Sequence, residues 1–386
     1  MSTNAAATMA IHHRFADSAF PLGVFAISRA ALFLLAYFSL IFLPMNPQAA
    51  WQPYRQNLFL DGWIRWDAGW YTRIAEGGYN NLPIELNYRD TAFFPMYPLA
   101  IAGAKVVLQD TYLSGILISN LAFLIALVIL FHLIRDRYGS AIAERSIVLL
   151  VVFPFSYYFS AVYTESLFLL TVVGAFYFGT RKRWVYAGLC AAMSAATREV
   201  GVLTIVGLVV LYLEQIDFAW RKIRPNILWI ALGAIGLLSY AVYFGIRFGN
   251  PLQFVTSHVD SGWQAGVAIG LVLDAARSLT SLRSIAAGSY PALNVAHLSM
   301  CGIVVILTVM TWRLLRPSDA LWTTLMVLIS VTRWDIMGRL TIVIFPLFIV
   351  AAMLLKDERK YQSVLYISTL FLALFTILFT HSYWVA

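Results

Sequence analysis

The sequence predicts an all-α polytopic membrane protein, and three observations support this. Of the 386 residues, 61% are hydrophobic and only 12% are charged, about half the charged fraction of a typical soluble domain. The mean hydropathy is +0.76, and apolar runs recur along the whole chain. Backbone groups in lipid need hydrogen-bond partners within their own segment, and these runs lack the short alternating pattern of a transmembrane barrel. The spans are therefore predicted to be helices.

The apolar runs predict about eleven transmembrane helices in a single domain, residues 1–386. In chain order the candidate spans are 22–44, 113–134, 146–158, 165–179, 184–197, 200–214, 227–248, 293–314, 319–332, 339–355 and 361–380. Residues 93–108 are also apolar enough to span. Pro95 and Pro98 would break a continuous helix, and a full crossing here would place the basic cluster at 135–145 outside the cell. Both points favour a re-entrant or interfacial helix for residues 93–108.

Basic clusters between the spans predict the orientation. They lie at 135–145, 181–183, 221–224, 313–316 and 356–360, and an excess of Lys and Arg is typical of cytoplasmic loops. The N-terminus is then inside and the C-terminus outside, with the first span an uncleaved signal-anchor. The large segments 45–92 and 249–292 and the turns 163–165 and 333–338 are expected on the extracytoplasmic face of the membrane.

Composition also argues against several other classes of protein. The net charge of +8 is dispersed in short clusters, so nucleic-acid binding is not expected. Cys190 and Cys301 lie in apolar runs and indicate neither a disulfide framework nor a zinc site. The sequence has no phosphate-cradling glycine loop and no polar stretch long enough for a nucleotide-binding domain. A donor substrate is therefore expected to arrive through the membrane.

Residues 61–98 are the most informative stretch. They are polar and rich in tryptophan, and they lie between long apolar runs. In a helix, Trp63, Trp66 and Trp70 form a broad stripe with Asp67 at its flank. An interfacial amphipathic helix explains the tryptophans, because such side chains collect where a membrane meets water. A carboxylate in that position can also meet both a lipid headgroup and a soluble molecule, which indicates chemistry on a lipid-linked substrate.

Charged residues at the ends of spans are the second candidate group. Glu165 begins an apolar helix, where it serves either as a favourable first-turn acid or as a functional group. Arg198 and Glu199 interrupt an apolar run. On insertion scales, placing a charged side chain at the centre of a membrane helix costs roughly 2.5–3.5 kcal/mol. The two residues either pair with each other or leave Arg198 to bind a phosphate. The same argument applies to Arg333 and Arg339, because a guanidinium offers fork-shaped donors that match phosphate oxygens.

Six motifs in order carry a resemblance to a known family. They are RWDAGWYTRIAEGGY at 65–79, AFFPMYP at 92–98, FSAVYTES at 159–166, AATREVG at 195–201, GNPLQF at 249–254 leading to Trp263, and RLTIVIFP at 339–346. Together they cover most of the length. The chain resembles the PIG-V-type mannosyltransferases of the GT-C glycosyltransferase superfamily, in what looks like a bacterial version.

The resemblance implies a GT-C-like helical bundle with interfacial helices in the first outer loop. It also implies transfer of a sugar, typically mannose, from a polyprenyl-phosphate carrier to an acceptor hydroxyl. Asp67 falls on the family's Trp-Asp motif and is expected to be the catalytic base of an inverting displacement. The other candidates are expected to bind substrate: Asp61, Arg65, Trp66, Tyr163, Glu165, Arg198, Glu199, His258, Arg333 and Arg339.

Three positions depart from the family pattern. His258 stands where Gln is frequent, Leu340 where Tyr is common, and Glu199 where relatives often carry a small or polar residue. The acceptor is expected to be a glycan, a lipid or a protein. Some members of the family work with a second membrane subunit, which the sequence neither reveals nor denies. The expected scheme requires no metal and leaves room for a divalent ion between Asp67 and phosphate.

Two other classes of function remain open at this stage. A transporter or flippase of lipid-linked sugars would also carry charges at the ends of spans, but it would be expected to show repeat symmetry between its halves, and none is detected. A structural scaffold would not need charged side chains at costly depths. An enzyme predicts that the segments 45–92 and 249–292 converge beside Asp67.

Overall fold

The computed structural model describes residues 3–48, 51–80, 89–260, 292–331, 333 and 336–385. Within these ranges the regular structure is helical and contains no β-strand, so the prediction of an all-α membrane protein is confirmed. The α-helices are α1 Thr3–Phe42, α2 Leu58–Asp61, α3 Ala68–Gly77, α4 Met96–Leu108, α5 Thr111–Tyr138, α6 Ser140–Val151, α7 Glu165–Thr180, α8 Trp184–Thr197, α9 Leu203–Glu214, α10 Gly233–Phe248, α11 Gln253–Asp260, α12 Ala292–Leu314, α13 Pro317–Val331, α14 Met337–Thr341, α15 Phe345–Leu354 and α16 Glu358–Thr380.

Four helical segments of the described chain are long and apolar enough to cross a membrane. They are Ser18–Phe42, Thr111–Tyr138, Pro225–Phe248 and Glu358–Thr380, with 23–28 residues each, against the ~20 residues that a bilayer core requires. Every predicted span coincides with helical structure, but most of the others correspond to apolar helices of 10–17 residues.

The helices break where the sequence predicted continuous spans. The predicted span 146–158 ends at Val151, before Pro154, and a 3-10 turn at Ser156–Phe159 leads to α7. The predicted span 339–355 divides into α14 and α15. Pro346 lies in the first turn of α15, where its missing N–H removes no hydrogen bond. Both breaks bring polar backbone and side chains toward one end of the bundle.

The helix α4 lies where a re-entrant or interfacial helix was predicted. It has 13 residues and is therefore about 20 Å long, short of the ~30 Å hydrocarbon core. Its Tyr97 hydroxyl donates to the Gly115 carbonyl oxygen at 3.0 Å and lies 2.7 Å from the Ser119 hydroxyl. These bonds hold the start of α4 against the first third of α5.

The hairpin of α7 and α8 forms the centre of the bundle. The helix α7 packs between α5 and α8 and is apolar on almost every face, as expected for a helix that is buried all round. It starts at Glu165, and α8 returns to end at Thr197. The hairpin therefore has one end at Glu165 and another at the turn 181–183, separated by about 24 Å.

Candidate functional site

The carboxylate of Asp67 lies at the start of α3, in the first outer segment. Trp66 precedes it with a φ of 51°, a left-handed conformation that is uncommon for a bulky side chain. Asp67 occupies the N-cap position of α3, but its side chain does not cap the helix. Instead, Oδ2 accepts a hydrogen bond from Nη1 of Arg339 at 2.7 Å, and the side chain is 23% exposed. The carboxylate is thus held at one oxygen and accessible.

Arg339 connects Asp67 to a second carboxylate. Its Nε donates to Oε1 of Glu165 at 2.6 Å, and its guanidinium carbon lies 4.6 Å from the Tyr163 ring centre and 5.2 Å from that of Tyr158. Glu165 is fully buried, and Arg339 is 8% exposed. A buried carboxylate of this kind requires such partners, because an unpaired charge at this depth is strongly destabilising.

Arg198 is the third charged partner. It follows α8 in an extended conformation, and its Nη1 donates to Oε1 of Glu165 at 3.0 Å. Its ion pair is therefore with Glu165, whereas Glu199 is exposed in the 3-10 turn that follows. Arg198 is 19% exposed, and within the described residues its Nε and Nη2 make no hydrogen bond. Two donor groups remain available to a ligand.

Together these four side chains form a neutral cluster, which we call the acid–arginine cluster: Asp67, Glu165, Arg198 and Arg339. Oε2 of Glu165 is buried and has no hydrogen-bond partner in the part of the chain that the structure describes. Such orphaned acceptors in a native structure call for a water or a ligand group. The cluster thus offers one accessible carboxylate, one unsatisfied acceptor and a guanidinium with spare donors.

Tyr163 supports the turn that carries Asp67. Its hydroxyl donates to the Arg65 carbonyl oxygen at 3.0 Å and accepts from the Asp67 amide at 3.3 Å. Its ring is fully buried against the Arg339 guanidinium. One side chain thus contacts both the backbone of the Asp67 turn and the cation that holds the Asp67 carboxylate.

Asp61 and Arg65 lie inside the protein beside the site. Arg65 donates to Asp61 at 2.6 Å and to the Thr380 carbonyl oxygen at 3.0 Å, and the two side chains are 0% and 1% exposed. They fasten the first outer segment to the end of α16. Trp66 is half-buried, and its ring meets that of Trp384 edge-on at 5.2 Å.

The structure does not bring every candidate to the cluster. Arg333 lies half-buried in the turn between α13 and α14, where its amide donates to the Ser330 carbonyl oxygen at 2.9 Å. His258 belongs to α11, and its side chain lies outside the described residues, as does the whole of Trp263. The described beginning of the second outer segment contacts the first through the hydroxyls of Thr91 and Ser257, 2.5 Å apart.

Two contributors were not singled out from the sequence. Tyr158 stacks on Arg339 and is buried. Arg29 in α1 donates to the Ser156 carbonyl oxygen at 3.0 Å and to the Ser160 hydroxyl at 3.2 Å, and so braces the break before α7. A signal for Arg29 existed, since an arginine inside an apolar span needs a partner there. Tyr158 carried no comparable signal.

A metal site requires converging ligands. In the described ranges, no group of three or more His, Cys, Asp and Glu side chains is arranged to hold an ion. Between Asp67 and Glu165 the positive charge is provided by Arg339.

A known protein family matches the part of the chain that contains three members of the acid–arginine cluster. The family model of the PIG-V mannosyltransferases matches residues 42–246, which is more than half of the chain and includes Asp67, Glu165 and Arg198. The chain belongs to the PIG-V mannosyltransferase family. The match ends at residue 246, so Arg339, the fourth member of the acid–arginine cluster, lies outside the matched region.

Two individual relatives match a shorter stretch of the chain than the family model does. The chain is 28% identical over 158 residues to GPI mannosyltransferase 2 of Cryptococcus neoformans var. neoformans serotype D, in two strains. That alignment covers 38% of this chain and 36% of the fungal protein, so it spans about a third of those relatives.

Two solved structures align with this chain over most of its length. ArnT from Cupriavidus metallidurans bound to undecaprenyl phosphate aligns over 92% of this chain and 77% of its own, with 12% identity and a TM-score of 0.43. The Archaeoglobus fulgidus oligosaccharyltransferase aligns over 94% of this chain and 55% of its own, with 14% identity and a TM-score of 0.48.

Proposed function

We propose that this protein is a membrane mannosyltransferase that moves a sugar from a polyprenyl-phosphate carrier to an acceptor hydroxyl on the extracytoplasmic face, with inversion at the anomeric carbon. The acceptor is a glycan, a lipid or a protein. The observation that carries this proposal is the acid–arginine cluster, in which the aspartate of the family's Trp-Asp motif has a side chain that is 23% exposed and held at Oδ2 by Arg339.

Asp67 is the base in this scheme. The hydrogen bond from Arg339 orients the Asp67 carboxylate by holding Oδ2. Oδ1 then accepts the proton of the acceptor hydroxyl as that oxygen attacks the anomeric carbon. A positioned base of this kind contributes roughly 10²–10⁴ in rate.

The leaving group is the lipid phosphate. As the new carbon–oxygen bond forms, the bond between the anomeric carbon and the phosphate oxygen breaks, and the electron pair stays on that oxygen. Arg198 is better suited than Arg339 to meet this charge, because Arg339 already holds two carboxylates and Arg198 retains free donors. Preorganised donors aimed at a developing charge are a large source of catalysis.

Glu165 has two roles in the proposal. Oε1 holds both guanidinium groups in place, and the unsatisfied Oε2 accepts a hydrogen bond from a sugar or acceptor hydroxyl or from a bound water. Tyr163, Asp61 and Arg65 act indirectly, since all three are buried and bonded within the protein. Tyr163 bonds to the backbone of the Asp67 turn, Asp61 accepts from the Tyr54 amide, and Arg65 donates to the Thr380 carbonyl oxygen.

The experiment is transfer of radiolabelled mannose from polyprenyl-phosphate-mannose by purified protein with a panel of acceptors. Asp67→Asn is expected to lose at least about 100-fold of the rate, because the amide cannot accept the proton. Asp217→Asn is the matched control, since Asp217 is 88% exposed at the other end of the α7–α8 hairpin and pairs only loosely with Lys222 at 3.7 Å. Full transfer by a folded Asp67→Asn variant would exclude the base assignment.

The transporter alternative predicts a different result. A flippase moves intact donor between the leaflets of proteoliposomes without an acceptor and releases no lipid phosphate. Donor flipping without sugar transfer across the acceptor panel would favour that function over the glycosyltransferase.

A further inference from the structure

A pocket lies at the far end of the α7–α8 hairpin, away from the acid–arginine cluster. It has a volume of about 440 Å³ and opens between the start of α8 and the 3-10 segment Pro225–Leu232. Its lining residues are Lys182, Arg183, Trp184, Val185, Tyr186, Asn226 and Trp229. Because the 16 residues of α7 separate it from Glu165, the pocket lies about 24 Å from the acid–arginine cluster.

Two cations at the mouth of this pocket have no anionic partner among the residues that the structure describes. In the turn 181–183, Arg181 is occupied, since its Nη2 lies 2.5 Å from Oδ2 of Asp136 and its guanidinium stacks on Tyr177. Lys182 and Arg183 are exposed and form no ion pair within the described part of the chain. Lys182 has a φ of 58°, a conformation that Gly or Asn adopts more readily. The chain thus places a lysine where local backbone preference alone would not.

The Asn226 side chain adds a further donor to the pocket. Oδ1 of Asn226 accepts a hydrogen bond from the Tyr212 hydroxyl at 3.0 Å, which in turn accepts from the Arg224 amide at 2.9 Å. This chain of bonds assigns the Asn226 NH₂ group to the pocket side as a donor. The side chains of the lining thus present an ammonium, a guanidinium and an amide NH₂, and none is a carboxylate. Such a set matches the oxygens of a phosphate group.

The walls of the pocket are suited to a membrane surface. Trp229 is 48% exposed and Tyr186 54% exposed, and aromatic side chains of this kind occupy the level of lipid headgroups. Gly188 brings the segment of Trp229 onto α8, because a Cβ there would lie 2.0 Å from the Trp229 carbonyl oxygen. The basic side chains at the start of α8 and the exposed Trp229 therefore lie on two segments that pack closely together.

We propose that this pocket binds the phosphate group of an anionic phospholipid in the leaflet opposite the Asp67 site. Lys182, Arg183 and the Asn226 amide contact the phosphate, while Tyr186 and Trp229 flank the glycerol and the upper acyl chains. Basic pockets between membrane helices are typical of such headgroup sites. This inference does not depend on the proposed sugar transfer.

Native mass spectrometry of delipidated protein in detergent tests the proposal, with dioleoylphosphatidylglycerol as the probe. The variant Lys182→Gln/Arg183→Gln is expected to bind the tightest lipid about 25-fold more weakly, since each basic side chain near a lipid surface contributes roughly fivefold. The matched control is Arg221→Gln/Lys222→Gln, an exposed basic pair in the next loop at the same end of the bundle that does not line the pocket. It is expected to bind like the wild type.

Two further ligands decide between explanations. Dioleoylphosphatidylcholine, which is zwitterionic, is expected to bind weakly to every variant. Glycerol 3-phosphate is expected not to displace the bound lipid; displacement at low concentration would reassign the pocket to a soluble phosphate compound. Equal weakening by the control pair would show a diffuse charge effect and overturn the site, as would unchanged binding by the test pair.

Asn226→Asp provides a second test in case the double variant folds poorly. It keeps the side-chain size and the bond from Tyr212 but turns a donor into an acceptor with negative charge. Loss of phosphatidylglycerol binding with unchanged thermal stability supports the pocket, and unchanged binding contradicts it.

Discussion

The guanidinium of Arg339 lies 2.7 Å from the carboxylate of Asp67, although 272 positions separate the two residues along the chain. The same guanidinium holds Glu165 at 2.6 Å, so one side chain fixes both acids of the cluster. This bond fixes one oxygen of Asp67 and leaves the other for a substrate proton. A residue in the last quarter of the sequence thereby positions an acid in the first quarter.

Replacing Arg339 is expected to destabilise the protein by about 3–5 kcal/mol, because Asp67 would lose its ion pair and the fully buried Glu165 would keep only the partly exposed Arg198. In Arg339→Met, the melting temperature in detergent should fall, and adding Glu165→Gln should restore part of it. Transfer should stay low in both variants, since Asp67 has lost its orienting partner. Equal melting temperatures of the single and double variants would contradict the coupling.

Arg198 is expected to act on the donor phosphate rather than on stability. Arg198→Gln should lower kcat/KM for the lipid donor by roughly 10–100-fold, the loss of charge-assisted hydrogen bonds, while the melting temperature changes little. Arg198→Lys should recover part of the activity because it keeps the charge. Arg221→Gln, an exposed arginine in the loop after α9, is the control and should retain the wild-type value. A pure loss of stability in Arg198→Gln, with normal kcat/KM, would assign Arg198 a structural role.

Asp61 and Arg65 are expected to position the Asp67 turn. Because their side chains are 0% and 1% exposed and bonded within the protein, Asp61→Asn should leave Arg65 buried and poorly paired, at a cost of roughly 3–5 kcal/mol. The melting temperature should fall sharply, whereas KM for the donor in the folded fraction should stay near the wild-type value. A raised KM with normal stability would instead support the direct substrate contact predicted from the sequence.

Asp90, in the connection between α3 and α4, is expected to make stability depend on pH. Burial raises the pKa of its carboxyl from 3.8 to about 6, against the opposing charge of Arg73. The folded state therefore binds more protons than the unfolded state between about pH 4 and pH 6, and the free energy of unfolding falls as pH rises through that window. Asp90→Asn should melt higher than the wild type at pH 7.5 and nearly equally at pH 4.5. A constant difference at both pH values would rule out this titration.

Much of the fold could be predicted from the sequence because lipid leaves the backbone few options. The helices that follow long apolar runs, such as α5 and α16, agree with the predicted spans to within a few residues. The breaks after Val151 and before Phe345 were not predicted, since hydropathy averages over a proline and its neighbours. Four segments reach a membrane-spanning length in the described ranges, and the shorter helices depend on neighbours that a one-dimensional pattern does not show.

The candidate site, like the fold, could be predicted from the sequence only in part. The motif around Asp67 was visible because tryptophans and a carboxylate between apolar runs have few structural explanations. The choice between an Arg198–Glu199 pair and another partner could not be made from spacing, and the extended backbone at Arg198 directs its side chain to Glu165 instead. The long-range bond from Arg339 had no sequence signal, since a lone arginine between spans is compatible with many partners.

By itself, the sequence determined the helical membrane class, the family and the position of Asp67, because each follows from local composition or from residues close together in the chain. Only the tertiary structure decided which charges meet. It paired Arg339 with Asp67 and Glu165 and buried Asp61 and Arg65 in the interior. At the far end it left Lys182 and Arg183 without an ion pair to any residue of the described ranges. The physical reason is that the free energy of a charge in a membrane protein depends on its partner and its depth, and both are properties of the packed bundle.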